Sequence, residues 1–146
     1  MKTMNIVTAY RTINASKLTK MEDTDKYKVI KAIREMKPVV ESFDSFVSDA
    51  RERLKPEDFD TMQEKAAQWQ KEGDATTLTV EDRVELNRYF EDYNRKVEEC
   101  VKEESEKEHE LKFGRLSEEA FCKLMASNPD WDVKTTVQVE EVLVEL

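Results

Sequence analysis

Histidine occurs once in these 146 residues, glycine and cysteine twice each, and proline three times. Each scarcity excludes something. Gly73 and Gly114 stand alone, so they cannot form the clustered, closely approaching amides of a Walker-type phosphate loop. Few glycines and prolines also mean few tight turns, which argues against a strand-rich fold. Glu106 and His109 have the E-x-x-H spacing and would share one helix face. A di-iron bundle, however, needs two such motifs and two further glutamates, which a single histidine cannot complete. A solvated His109 is expected, with no metal and no cofactor. Cys100 and Cys122 form no CxxC pair and are too few for a disulfide framework, so reduced thiols in a cytoplasmic setting are expected. No G-x-S-x-G elbow is present. The sequence contains no apolar run near the roughly 20 residues of a membrane span. Its N-terminus also lacks the apolar core of about 7 to 15 residues that a signal peptide requires.

Charge, by contrast, is abundant. Asp, Glu, Lys and Arg make up 39% of the chain, and 33 acidic against 24 basic residues leave a net charge of −9. Leu, Ile, Val and Phe number 33 of 146, just above the roughly 20% below which chains stay disordered. Burial must therefore be confined to narrow stripes, and helices paired along thin apolar seams suit that ration. Nearly every Lys and Arg has an acidic neighbour within four residues, so the basic patch that displaces counterions from nucleic acid is not evident. With nearly one residue in four acidic, i,i+4 carboxylate pairs arise by chance and mark no glycosidase-type acid and base.

The periodicity predicts a mainly α chain. Ile6, Tyr10 and Ile13 define a short first helix within residues 4–18. Tyr27, Ile30, Ile33, Met36, Val40, Phe43, Val47, Ala50 and Leu54 mark the seam of a long second helix. Pro38 should kink that helix without ending it. Pro56 suits the first turn of a third helix, with Phe59, Met62, Ala66 and Trp69 on one face, and Gly73 caps its C-terminus. Thr79 and Asp82 form a capping-box-like start for a fourth, whose seam is Leu86, Phe90, Tyr93, Val97 and Cys100 or Val101. On that seam a small buried hydrophobe is the ordinary role of Cys100.

Seven glutamates against Lys102 and Lys107 then leave residues 98–110 with a local charge near −5. Around 109–113 a short edge strand competes with helix continuation and is favoured. Ser117 caps a helix bearing Phe121, Leu124 and Met125, which Asn128-Pro129 ends. Asp132 caps a final segment, 133–146, in which Val133, Val137 and Val144 fit a helix while the β-branched content also fits a strand. The helix is preferred. The expected architecture is an elongated antiparallel long-helix hairpin or bundle over residues 1–108, with a small C-terminal module over 109–146 that either stands apart or forms one domain with it.

Several stretches carry a resemblance. Asp25-Lys26-Tyr27-Lys28-Val29-Ile30-Lys31 opens the long helix and Ala50-Arg51-Glu52-Arg53-Leu54 closes it. The next long helix runs into Glu108-His109-Glu110-Leu111-Lys112-Phe113, and Leu116-Ser117-Glu118-Glu119-Ala120-Phe121 begins the short capped one. In this order of elements the chain resembles small helical proteins of unassigned function encoded in bacteriophage and prophage genomes. The resemblance implies a bacterial host cytoplasm and brings no catalytic residues.

A non-catalytic interaction or assembly protein is the expected function. Long helices with one apolar stripe each bury little alone, so self-association or a protein partner should complete the burial. Tyr89 and Trp131 lie off the tidy stripes and are the candidate exposed anchors, whereas Tyr27, Trp69 and Tyr93 are expected in the core. The competing expectation is an acidic inhibitor whose carboxylates occupy a nucleic-acid site on a host protein. An enzyme is the least favoured class.

Overall fold

The computed structural model describes residues 1–144. It contains six α-helices: α1 Thr3–Asn14, α2 Asp23–Arg53, α3 Phe59–Glu72, α4 Val80–Ser105, α5 Glu118–Ser127 and α6 Val133–Leu143. A short 3₁₀ turn, Gly73–Ala75, follows α3. Among the described residues there is no strand, and the fold is mainly α as the periodicity predicts. The edge strand expected at 109–113 is not formed. Only two isolated bridges flank that stretch, Lys2 with Glu108 and Leu116 with Val144. Backbone pairing there is used singly, to tie a connecting segment to its neighbours.

Local signals fix four of the helix ends. Ser117 Oγ accepts from the Ala120 amide at 3.2 Å, and Asp132 Oδ1 accepts from the Thr135 amide at 2.7 Å. Thr79 and Asp82 form the reciprocal box, with Asp82 N–H donating to Thr79 Oγ1 at 3.1 Å and Thr79 N–H to Asp82 Oδ2 at 3.3 Å. Gly73 closes α3 at φ 56°, a left-handed value that other residues adopt at a cost. Pro38 lies inside α2, which continues through it. Pro56 falls in the turn before α3, whose N-cap is Asp58, so it does not take the expected first-turn place.

The chain forms two compact units. The first joins Met1–Ser45 to the chain from Glu104 onward. It does not follow the linear division at residue 108, because α1 packs against α6. Ile6, Val7 and Ile13 of α1 and Val139, Val142 and Leu143 of α6 are almost wholly buried. Asn128 and Ser127, at the end of α5, secure the loop after α1. The Asn128 side chain accepts from the Lys17 amide at 2.8 Å and donates to the Lys17 and Leu124 carbonyls at 2.8 and 2.9 Å. Ser127 Oγ accepts from the Lys20 amide at 2.9 Å. These buried polar groups are therefore satisfied, as burial demands. Arg115 adds a bond from its guanidinium to the Val142 carbonyl and lies 4.4 Å from the Phe113 ring centroid.

The second unit spans Phe46–Glu103. Its core is Phe59, Tyr93 and Val97, with Leu54, Tyr89, Phe90 and Val101 packed around them. Phe59 meets Tyr93 at 4.8 Å and Phe90 at 5.9 Å between ring centroids, the second edge-on. The α4 seam is thus used as the periodicity predicts, and its partners are the first turn of α3 and the end of α2. Tyr93 Oη donates to the Arg51 carbonyl, which fixes that end.

Candidate interaction surface

Tyr89, a candidate anchor, is half-buried and already engaged. Its ring stands edge-on to Phe90 at 5.3 Å, and its hydroxyl donates to Asp58 Oδ1 at 2.9 Å. Burial first, and the Asp58 carboxylate second, push the phenol up to about 12. Asp58 also lines an open groove of about 210 Å³ with Lys65, Leu78, Asp82, Glu85 and Leu86. Two of the three carboxylates there have structural work, Asp58 holding Tyr89 and Asp82 capping α4. Trp131, the other candidate anchor, is half-buried and follows α5, with its amide bonded to the Asn128 carbonyl at 3.2 Å. Neither aromatic is a freely projecting anchor.

His109 is not the solvated residue of a charge run. It is half-buried, its Nε2 lies 2.7 Å from Thr3 Oγ1, and its amide donates to the Met1 carbonyl at 2.8 Å. Beside it the Met1 ammonium donates to Glu108 at 2.7 Å, which holds the Glu108 carboxyl below its usual range. The helix expected to carry both Glu106 and His109 ends at Ser105, so the two do not share a helix face. No group of three or more potential metal ligands occurs among the described residues. Cys100 is half-buried beside Arg53, whose guanidinium donates to its sulfur at 3.1 Å, and Cys122 is exposed. Among the described residues no helix is long and apolar enough to cross a membrane.

The surface that the sequence reading misplaced is on α2. Val29, Ala32, Met36, Val40 and Phe43 are its buried positions, whereas Tyr27 and Ile30 are 51% and 45% exposed. The first turns of the helix are therefore rotated about one residue from the expected phase. At 100° per residue, Tyr27, Ile30, Lys31 and Arg34 form one stripe directly opposite buried Met36. Between Lys26 and Lys37 there are five cations and one acid, Glu35, a local charge of +4 in a chain of net −9. Lys26 pairs with Asp23 and Lys37 with Glu41. Lys31 sits 4.6 Å from the Tyr27 ring centroid, and neither it nor Arg34 is in an ion pair among the described residues. The Lys28 stem runs past Gly114, where an added Cβ would sit 3.7 Å away.

The signal for this stripe is present in the sequence. Val29-Ile30 and Ala32-Ile33 each offer two neighbouring apolar residues, so spacing alone allows either phase. A comparable shift occurs on α6, where Val139, Val142 and Leu143 are buried and Val133 and Val137 exposed, while Val144, just past its end, is buried. Compared with family models, curated proteins and solved structures, the chain matches none.

Proposed function

We propose that this chain is a non-catalytic protein-interaction or assembly protein that works through the outward stripe of α2. One observation carries the reading: an exposed tyrosine and isoleucine share a helix face with Lys31 and Arg34, neither of which is in an ion pair among the described residues. Exposed aromatic and aliphatic groups beside Arg and Lys supply apolar anchoring at the centre and orientation at the rim. In the same proposal, the chain serves as an accessory factor in a bacterial host, in keeping with the resemblance to phage and prophage proteins.

The acidic-inhibitor reading has less support. On α4, Arg95 sits between Asp92 and Glu99 and lies within 3.3 and 4.0 Å of their carboxylates. The middle of that helix therefore presents alternating charge instead of an unbroken row of phosphate-like carboxylates.

The test is affinity capture from the native host with the whole chain and with a Tyr27→Asp, Ile30→Asp double variant. Both substitutions lie on solvent, so circular dichroism should stay helical. Retention of a protein partner, or self-association, by the parent and its loss in the variant supports the reading. A parent that associates with nothing, itself included, defeats it.

A further inference from the structure

We infer that the outward stripe of α2 docks against the acidic run of a second copy of this chain, residues 98–110, in a head-to-tail contact. The inference rests on the interaction reading above and names its partner. The charges are complementary: residues 26–37 sum to +4, with Lys31 and Arg34 on the stripe itself, and residues 98–110 sum to about −5, with Glu108 of that run held by the Met1 ammonium. Glu98, Glu99, Glu103, Glu106, Glu108 and Glu110 of the run are all exposed.

The lengths also agree. Tyr27 to Arg34 spans two helical turns, about 10 Å, and so does the helical part of the run from Glu98 to Ser105. Facing two acidic runs would set like charges together, and facing two basic stripes would do the same. Opposite patches remove both penalties.

A contact between two different patches leaves one of each free on every copy. Such an interface is heterologous, so it adds further copies and gives a ring or an open filament according to the rotation between neighbours. Nucleic acid is the weaker occupant. A nucleic-acid duplex extends far beyond the stripe and would be repelled there by the rest of a chain of net charge −9.

Charge exchange tests the inference on the whole chain. One variant carries Lys31→Glu and Arg34→Glu, the other Glu103→Lys and Glu106→Lys; all four positions are exposed, and circular dichroism verifies folding. In sedimentation equilibrium the parent should associate reversibly, and more weakly as salt rises from about 0.1 to 1 M. Each variant alone should associate about tenfold or more weakly. An equimolar mixture should recover the parent affinity at one contact per pair, the intact stripe of one variant on the intact run of the other, and stop at 1:1 dimers.

Association that grows with salt, that survives either variant, or that the mixture fails to restore overturns the docking. Binding of a labelled DNA duplex that is lost with Lys31→Glu and Arg34→Glu overturns it in favour of nucleic acid. A parent that is monomeric at every concentration overturns it too. If that monomer still retains a host protein through Tyr27 and Ile30, only the second-copy inference fails. If it retains nothing, the interaction reading falls with it.

Discussion

Asn128→Ala is the sharpest perturbation of the first unit. The side chain is 6% exposed and makes three hydrogen bonds: one from the Lys17 amide and two to the Lys17 and Leu124 carbonyls. Alanine leaves the Lys17 amide and both carbonyls short of a partner next to a packed helix end. Each net bond contributes about 1 kcal/mol and each stranded buried group costs about 1 to 3 kcal/mol, so the loss should be roughly 2 to 4 kcal/mol. For a chain of this length that lowers the midpoint by about 5 to 15 °C.

The assay follows Trp131 fluorescence in a Trp69→Phe background during urea unfolding, with hydrogen exchange at the Lys17 and Lys20 amides as the local readout. Asn128→Asp supplies a sign. It keeps the acceptor but places a buried carboxylate beside two carbonyls, so burial raises its folded pKa above the unfolded value near 4. Its deficit relative to asparagine should be largest at neutral pH and shrink as pH falls through that raised value. A loss below about 0.5 kcal/mol, with Lys17 exchange unchanged, would refute the claim that this residue holds the loop.

Phe59→Ala removes the ring that touches both Phe90 and Tyr93 and should cost about 3 to 5 kcal/mol, read from urea melts followed at Trp69. Tyr89 should ionise near pH 12 in an alkaline absorbance titration, and Tyr89→Phe should delete that step. Its folded pKa is raised, so the Asp58 contact stabilises below about pH 10 and is lost as pH climbs towards 12. Asp132 is held below the usual carboxyl range by its bonds to Thr135, so the extra stability of the charged cap is present at neutral pH and is lost as pH falls through the lowered pKa. Asp132→Ala should therefore lower the midpoint at pH 7 and cost less as pH falls through the lowered pKa, checked by paired thermal melts.

Helix existence and helix ends were legible in residues alone because their causes are local. Ser117, Asp132, the Thr79 and Asp82 pair and Gly73 each act within four residues of their own position, and each does what its chemistry predicts. Helical phase was less legible. Where apolar residues occur in adjacent pairs, as at Val29-Ile30, the register is decided by which one finds a partner, and that partner is distant in sequence. Tyr27 and Ile30 were therefore assigned to the core when they lie on solvent.

Tertiary structure alone also decided how the ends of the chain are joined. Nothing in the sequence of α1 says that it packs against α6, more than a hundred residues away, because both are short amphipathic helices with interchangeable aliphatic faces. The 109–113 segment looked like a strand because Leu111 and Phe113 alternate with Lys112. A strand needs a neighbour with a matching run of free backbone groups, and Lys2 and Val144 offer only single bridges on either side. His109 was read as solvated for the same reason: its partner, Thr3, is 106 residues distant, and only the folded chain brings the two within 2.7 Å. Composition and spacing set the helices and their caps, while the choice of which faces meet belongs to long-range packing, where several partners of equal hydrophobicity compete and shape decides.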